Sequence, residues 1–271
     1  MAVPVGAVAI EAVLPAGGRL LDALAALVEE RGVESAALTL SGGGLGPFAY
    51  VIPALSPDGS RVAFYSATFR PAGTTRLDVA AITVGAKAGA LFFHCHGLWI
   101  EADGRPGCGH VLPEEAVIAE PIAVRGTGIV AARFEVRPDP ETGFDLFMPV
   151  ATGTRPPREA MPAVALRLAP NQDLIEALRQ AGREAGYRRA VLHGGVGSIN
   201  QARFTDAPDI MGFATEMLVR SGSVQCMAGA GEATVLEVAI VDYTGAIGSG
   251  RLRAGDNAVL MTFEGVLQAV R

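Results

Sequence analysis

An α/β chain of two similar domains is the fold class that the 271-residue sequence predicts, on three observations. LPAGGRLLDALAALVEERGVESAALTL at 14–40 and LAPNQDLIEALRQAGREAGYRRAVLHG at 168–194 superimpose without gaps at an offset of 154. Each then runs into a glycine-rich stretch, SGGGLGP at 41–47 and GGVGSIN at 194–200. Further on, ADGRPGCGHVL at 102–112 aligns with YTGAIGSGRLR at 243–253, now at an offset of 141, with Gly104 on Gly245 and Gly109 on Gly250. The boundaries that follow are 1–130 for the first domain, 131–160 for a connector and 161–271 for the second.

The elements follow in order. MAVPVGAVAIEAVLPAG lacks a basic leader and carries Glu11 inside its apolar run, so it reads as a first strand rather than a signal peptide. Leu20, Leu21 and Leu24 form an apolar stripe at helical spacing, matched by Leu174, Ile175 and Leu178 in the second copy. Gly32 and Gly186 stand where a left-handed helix cap is wanted. The glycine-rich stretches lack the GK[ST] ending of a phosphate loop and precede strands, which points to tight turns or close backbone contacts. The first copy is longer in its middle, where VIPALSPDGSRVAFYSATF carries turn signals and implies loops or an added hairpin. The connector begins as two apolar runs around a PDPETG turn and ends in a proline-rich linker at 152–157.

Composition narrows function. A chain that is 50% hydrophobic can bury a large core. The net charge of −6 leaves no basic field to hold a polyanion through its phosphates, so nucleic acid is not an expected partner. The most membrane-like window, 79–100, is broken by Lys87, two histidines and several glycines and fails as a transmembrane helix. Three cysteines suit reduced thiols in the cytoplasm better than a disulfide framework.

A unit of strand, helix, strand, glycine turn, strands and a hairpin carrying H-x-H and a later G-x-H resembles the PPC (plants and prokaryotes conserved) domain, here in tandem. The second copy, with LRLAPNQDLIEALRQAGREAGYRRAVLHGGVGSIN and TEMLVRSGSV, is the closer general match; the first keeps the histidines. The resemblance implies an α+β type of α/β fold, with a largely antiparallel twisted sheet and flanking helices in each domain, assembled as a homotrimer. Some prokaryotic members resemble three-histidine zinc proteins, and the wider fold group includes acetolactate decarboxylase. DNA binding in the family goes with an AT-hook. Here only Gly104-Arg105-Pro106 appears of that motif, preceded by Asp103 in a hairpin.

FFHCHGLWIEADGRPGCGH, at 92–110, holds three of the four histidines. Alternate strand residues share a face, so His94 and His96 point one way while Cys95 and Trp99 point into the core. A two-residue Asp103-Gly104 loop would place His110 opposite Gly97, on the wrong face. A three-residue loop, Ala102 to Gly104, pairs Glu101 with Arg105 and sets His110 directly opposite His96. Opposed Cβ atoms stand about 4.5–5.5 Å apart, a span that lets two imidazoles reach one ion. His94, His96 and His110 are thus the expected metal ligands. Three imidazoles suit zinc first, with other divalent transition metals next, and leave a position for water or substrate. Cys108 falls on the same face, either as a fourth ligand that closes a structural site or as a small buried neighbour.

The second copy acts as a control. At the offset of 141 the three histidines become Val235, Glu237 and Arg251, with Glu237 opposite Arg251 as a cross-strand ion pair. That copy is expected to bind no such metal and to serve as structure or as a wall of the pocket. Glu101 and Glu120 are weak candidates for an acid or base, Glu264 falls in the second copy's closing strand, and Arg76 and Arg105 could meet an acidic substrate. Exposure at strand ends is the bland reading for the carboxylates. His193 is expected to be satisfied by local backbone near a turn. The functional expectation is a zinc site that binds or transforms a small oxygen-containing ligand, as a hydrolase or lyase would. The competing classes are a DNA-associated regulator and a non-catalytic oligomeric scaffold with a structural metal.

Overall fold

The fold was read from a computed structural model that describes residues 1–227 and 233–270. The chain opens with β1 (Ala2–Leu14), α1 (Leu20–Arg31) and β2 (Ser35–Ser41), then passes through the short β3 (Gly44–Leu45), β4 (Tyr50–Val51), β5 (Pro53–Leu55) and β6 (Ala63–Tyr65). Long strands follow: β7 (Thr75–Lys87), β8 (Ala90–Ile100) and β9 (Pro106–Val111), then β10 (Ile118–Glu120) and β11 (Ile122–Val130). A hairpin, β12 (Ala132–Asp139) and β13 (Phe144–Ala151), precedes the second pass. That pass comprises β14 (Met161–Leu168), α2 (Leu174–Glu184), β15 (Arg189–Ile199), β16 (Thr215–Gln225), β17 (Val235–Asp242), β18 (Ile247–Arg251) and β19 (Val259–Ala269).

Local chemistry accounts for the helices. Leu20 and Leu24 are fully buried beneath α1 and Leu21 is half-buried, while Leu174, Ile175 and Leu178 are all buried beneath α2. Gly32 ends α1 at φ 58°, its N–H donating to the Glu29 carbonyl at 3.0 Å, a geometry that costs glycine little. Gly186 takes the same left-handed role just beyond α2 at φ 78°. Asp173 caps α2 by accepting the Glu176 N–H at 3.0 Å; α1 has no such side-chain cap.

All the strands but β5 and β6 form one open, twisted, mostly antiparallel sheet of the α+β type, with the two helices on it. Its long strands run in the order β9-β8-β7-β2-β11-β1-β14-β19-β15-β16-β17-β18. The order reads alike from both ends, with the β1–β14 pair at its centre: β2 lies between β7 and β11 as β15 lies between β16 and β19. The extra length in the first half is the separate β5–β6 hairpin, and the PDPETG turn joins β12 to β13. Residues 152–157 carry no secondary structure. Both glycine-rich stretches make close backbone contacts: a Cβ at Gly43 would lie 2.1 Å from the Pro121 carbonyl oxygen, and one at Gly197 would lie 2.3 Å from that of Thr262.

Sheet faces decide where the histidines go. One face of the first half packs under α1 in a core that includes Cys95 and Trp99, and one face of the second packs under α2. The remaining faces meet each other. Val79, Ala81 and Cys108 from the first half share a cluster with Leu218, Ala239 and Val241 from the second. Strand alternation puts His94 and His96 on the opposite face from Cys95, and so between the halves.

Candidate metal centre

The hairpin that carries the histidines has the register expected of a three-residue loop. Gly104, at φ 88°, donates to the Glu101 carbonyl at 2.9 Å, and the Glu101 N–H donates to the Arg105 carbonyl at 2.8 Å. Ile100 then pairs with Pro106 and His96 with His110, without a register shift. Pro106 opens β9, a position that tolerates a missing donor. Gly107 and Gly109 leave room on the other face, where a Cβ at Gly107 would lie 2.2 Å from Trp99 Nε1. Trp99 itself is 1% exposed and packs edge-on to Phe48 and Tyr50, as a core residue.

One ring nitrogen from each of His94, His96 and His110 lies within 4.8 Å of the others. His94 Nε2 is 3.0 Å from His96 Nε2, which is 3.2 Å from His110 Nδ1. The second half of the chain completes the group. His96 Nδ1 donates to the Met217 carbonyl of β16 at 2.8 Å, and His94 Nδ1 bonds the Glu264 carboxylate of β19. Glu216, next along β16, places Oε2 2.8 Å from His96 Nε2.

These outer bonds fix the chemistry of the inner atoms. A carbonyl only accepts, so His96 carries its proton on Nδ1 and turns an Nε2 lone pair inward. With Nδ1 of His94 donating to Glu264, Nε2 of that ring is likewise a lone pair. Two such nitrogens, a carboxylate oxygen and the His110 nitrogen converge on one point, an arrangement of acceptors that repels unless a cation or shared protons lie among them. The nitrogen separations approach the edge of a tetrahedron with bonds of about 2.0–2.1 Å to zinc, roughly 3.3 Å. The donor set therefore fits a divalent ion. Imidazoles held from behind by a carboxylate and a backbone carbonyl are the usual support of such ligands.

Charge is distributed unevenly over the rings. Burial disfavours the His94 cation, but the Glu264 and Glu216 carboxylates outweigh it and raise the pKa above the ordinary value. Burial, together with His94 and His96, pushes His110 well down. Burial also raises the Cys108 thiol, which sits in the apolar cluster between the halves on the histidine face and outside the three-histidine group.

Other predicted residues lie elsewhere. Glu101 accepts from the Tyr50 hydroxyl at 3.1 Å and pairs with Arg105 at 3.3 Å, at the loop end of the hairpin. Glu120 is exposed on β10, and Arg76 is exposed on β7. His193 meets the Gln268 side chain across β15–β19 at 3.0 Å, rather than local backbone. The Glu237–Arg251 pair forms as expected, directly cross-strand, at 3.3 Å. Glu264 is fully buried, not an exposed strand-end carboxylate, and its Oε2 has no hydrogen-bond partner among the described residues. Glu216 was not among the expected site residues. Both carboxylates interrupt otherwise apolar runs, TEMLV and VLMTFEGVL, and a carboxylate inside such a run needs a partner.

A cleft of about 400 Å³ leads from solvent to His94 and His110. Tyr65 of the added hairpin stands over His110, with ring centres 5.2 Å apart, and Phe144 of the connector hairpin lies 6.3 Å beyond it.

Residues 155–271 match the family model of the Plants and Prokaryotes Conserved (PCC) domain, the PPC domain under its other abbreviation. No curated protein matches the chain. A PPC protein from Pyrococcus horikoshii is similar in structure at 18% identity and a TM-score of 0.43, over 53% of this chain and 94% of that one. A metal-containing protein from Archaeoglobus fulgidus gives 19% identity and a TM-score of 0.41, over 53% and 94%. A presumed DNA-binding protein from Ralstonia eutropha JMP134 gives 17% and 0.39, over 51% and 89%.

Proposed function

We propose that the whole chain, of which residues 155–271 match the PCC domain model, is two such units, 1–130 and 161–271 joined by 131–160, with one metal centre between them. The strand order that reads alike from both ends supports the tandem reading. The observation that carries the metal reading is the inward convergence of the three histidines while His94 and His96 are bonded from behind. His94, His96 and His110 would hold the ion, and their donor chemistry favours zinc. A bound ion supplies Lewis acidity toward an oxygen-bearing ligand.

The residues of the chain do the rest. Glu264 and the Met217 carbonyl fix the ring orientations. Glu216 stands at the inner face, where its carboxylate either completes the ligand set or takes a proton from a ligand in the cleft. It is better placed for that than Glu101 or Glu120. Tyr65 and Phe144 line the approach. The function supported is the binding or transformation of a small oxygen-containing ligand, by hydrolysis or a lyase step, in a homo-oligomeric cytoplasmic protein, a trimer by resemblance. Metal analysis of the purified chain beside a His94→Ala/His96→Ala variant tests it. One ion per chain in the first and none in the second is expected; none in either sinks the reading.

A DNA-associated role is the second reading, favoured by names that PPC proteins carry and opposed by the net charge of −6. A salt-dependent shift of duplex DNA at near-physiological ionic strength would reverse the ranking. A scaffold with a structural metal is the third, and an ion that admits no exogenous ligand would favour it. Among the described residues no helix is long and apolar enough to cross a membrane.

A further inference from the structure

The cleft over the histidines is lined unevenly. Two aromatic paths run outward from its floor, and each ends in a cation. Along β8, Phe92 shares the face of His94 two residues away, about 7 Å on, and the Lys87 ammonium lies 5.2 Å from the centre of its ring. On the other side, Tyr65 and Phe144 lead from His110 to Arg61, whose guanidinium sits 4.7 Å above the Phe144 ring. Lys87 and Arg61 both line the cleft and both are exposed. Neither makes an ion pair with a carboxylate among the described residues, although most of the other arginines near a carboxylate do. Asp145 is the one acidic residue in the described lining of this cleft.

Charge therefore changes along the cleft. At the floor, the carboxylates Glu216 and Glu264 would offset the charge of a divalent ion. At the mouth, two cations face one carboxylate. Between them the walls are rings and aliphatic side chains.

Resting on the metal reading, we propose that the site takes a small organic acid: an oxygen donor at the metal end, an apolar body about one ring long, and a carboxylate held at the mouth by Arg61 and Lys87. Ring stacking keeps both cations extended over the walls and leaves their N–H groups free to donate to an anion. The depth of the cleft sets the length of the body, since one β8 step and one stacked ring separate the floor from the mouth.

The test compares benzohydroxamate with 4-carboxybenzohydroxamate, titrated calorimetrically into zinc-loaded protein and into an Arg61→Gln/Lys87→Gln variant. Both probes bring the same metal-binding oxygens, and only the second reaches the mouth with a charge. The expected result is binding about fivefold tighter for the carboxylated probe in the original chain at low salt, shrinking as salt is added. In the variant the two probes bind alike, and unchanged benzohydroxamate binding there shows that the floor is intact. Benzohydroxamate bound without any gain from the carboxylate, or a gain that survives in the variant, overturns this inference alone. Failure of benzohydroxamate to bind zinc-loaded protein overturns the open metal site and this inference together.

Discussion

The β8–β9 and β17–β18 hairpins occupy matching ends of the sheet and share a register, with His96 opposite His110 in one and Glu237 opposite Arg251 in the other. Their surroundings differ. His96 is fully buried against β16, whereas the Glu237 and Arg251 side chains are 43% and 55% exposed. A carboxylate and a guanidinium in water satisfy each other at little cost or gain. Three imidazoles gathered between two sheet faces, one of them fully buried, need either protons or an ion. The half that lacks the three clustered histidines is no bystander, because it supplies Glu216, Glu264 and the Met217 carbonyl to the half that has them. The centre thus belongs to neither half alone.

The largest break in this comparison comes from the composite shell. Glu264→Gln keeps shape and burial while removing the charge behind His94, and a loss of about 10–100-fold in zinc affinity is expected, measured by competition with a chromogenic chelator. The corresponding exposed change, Glu237→Gln, should leave zinc affinity unaltered. Equal effects from the two would show that the second half does not act on the site through Glu264.

Acidity gives the next effect. The two carboxylates outweigh the burial of His94 and raise its pKa above the ordinary imidazole value, whereas burial and the two neighbouring imidazoles push His110 well down. A ligand must give up its proton to bind metal, so affinity should rise with pH and go on rising above about pH 6.5, until His94 is neutral. In Glu264→Gln the larger of the two raising influences is gone, only Glu216 remains, and the rise should end at lower pH. An affinity flat from pH 5 to 8 would contradict the assignment of a proton to His94.

Metal removal should also lower thermal stability, because the ion binds the folded chain across both halves. At a thousandfold excess of free zinc over the dissociation constant the stabilisation is about 4 kcal/mol, read as a zinc-dependent melting temperature. The His94→Ala/His96→Ala variant should show no such dependence.

How far the sequence reaches is visible in the same two hairpins. Their registers were legible because a three-residue loop ending in glycine and a side-chain period of two leave one arrangement that puts His110 opposite His96. The helices were legible from their stripes, and the added β5–β6 hairpin from its turn residues. What escaped was which sheet faces meet. Glu216 and Glu264 lie more than a hundred residues from the histidines, and nothing local to either says that β16 and β19 will face β8. His193 failed for the same reason: its partner, Gln268, is set by the β15–β19 pairing rather than by the nearby turn. The Arg61 and Lys87 positions depend on the rings beneath them, and those rings come from three separate hairpins.

The smallest effect is the sharpest check on why the two ends differ. A double-mutant cycle on Glu237→Ala and Arg251→Ala should give a coupling of about 0.5 kcal/mol, and less in high salt, because both side chains are open to solvent and Arg251 is shared with Asp206 at 3.6 Å. Restoring histidines there, as Val235→His/Glu237→His/Arg251→His, should add no second tight ion, since neither a buried carboxylate nor a backbone carbonyl stands behind the new rings to fix their tautomers. Metal content near one per chain is expected by elemental analysis. Two ions held with equal affinity would mean that the hairpin register suffices, and that the burial supplied by the opposite half is not what makes the first hairpin a metal centre.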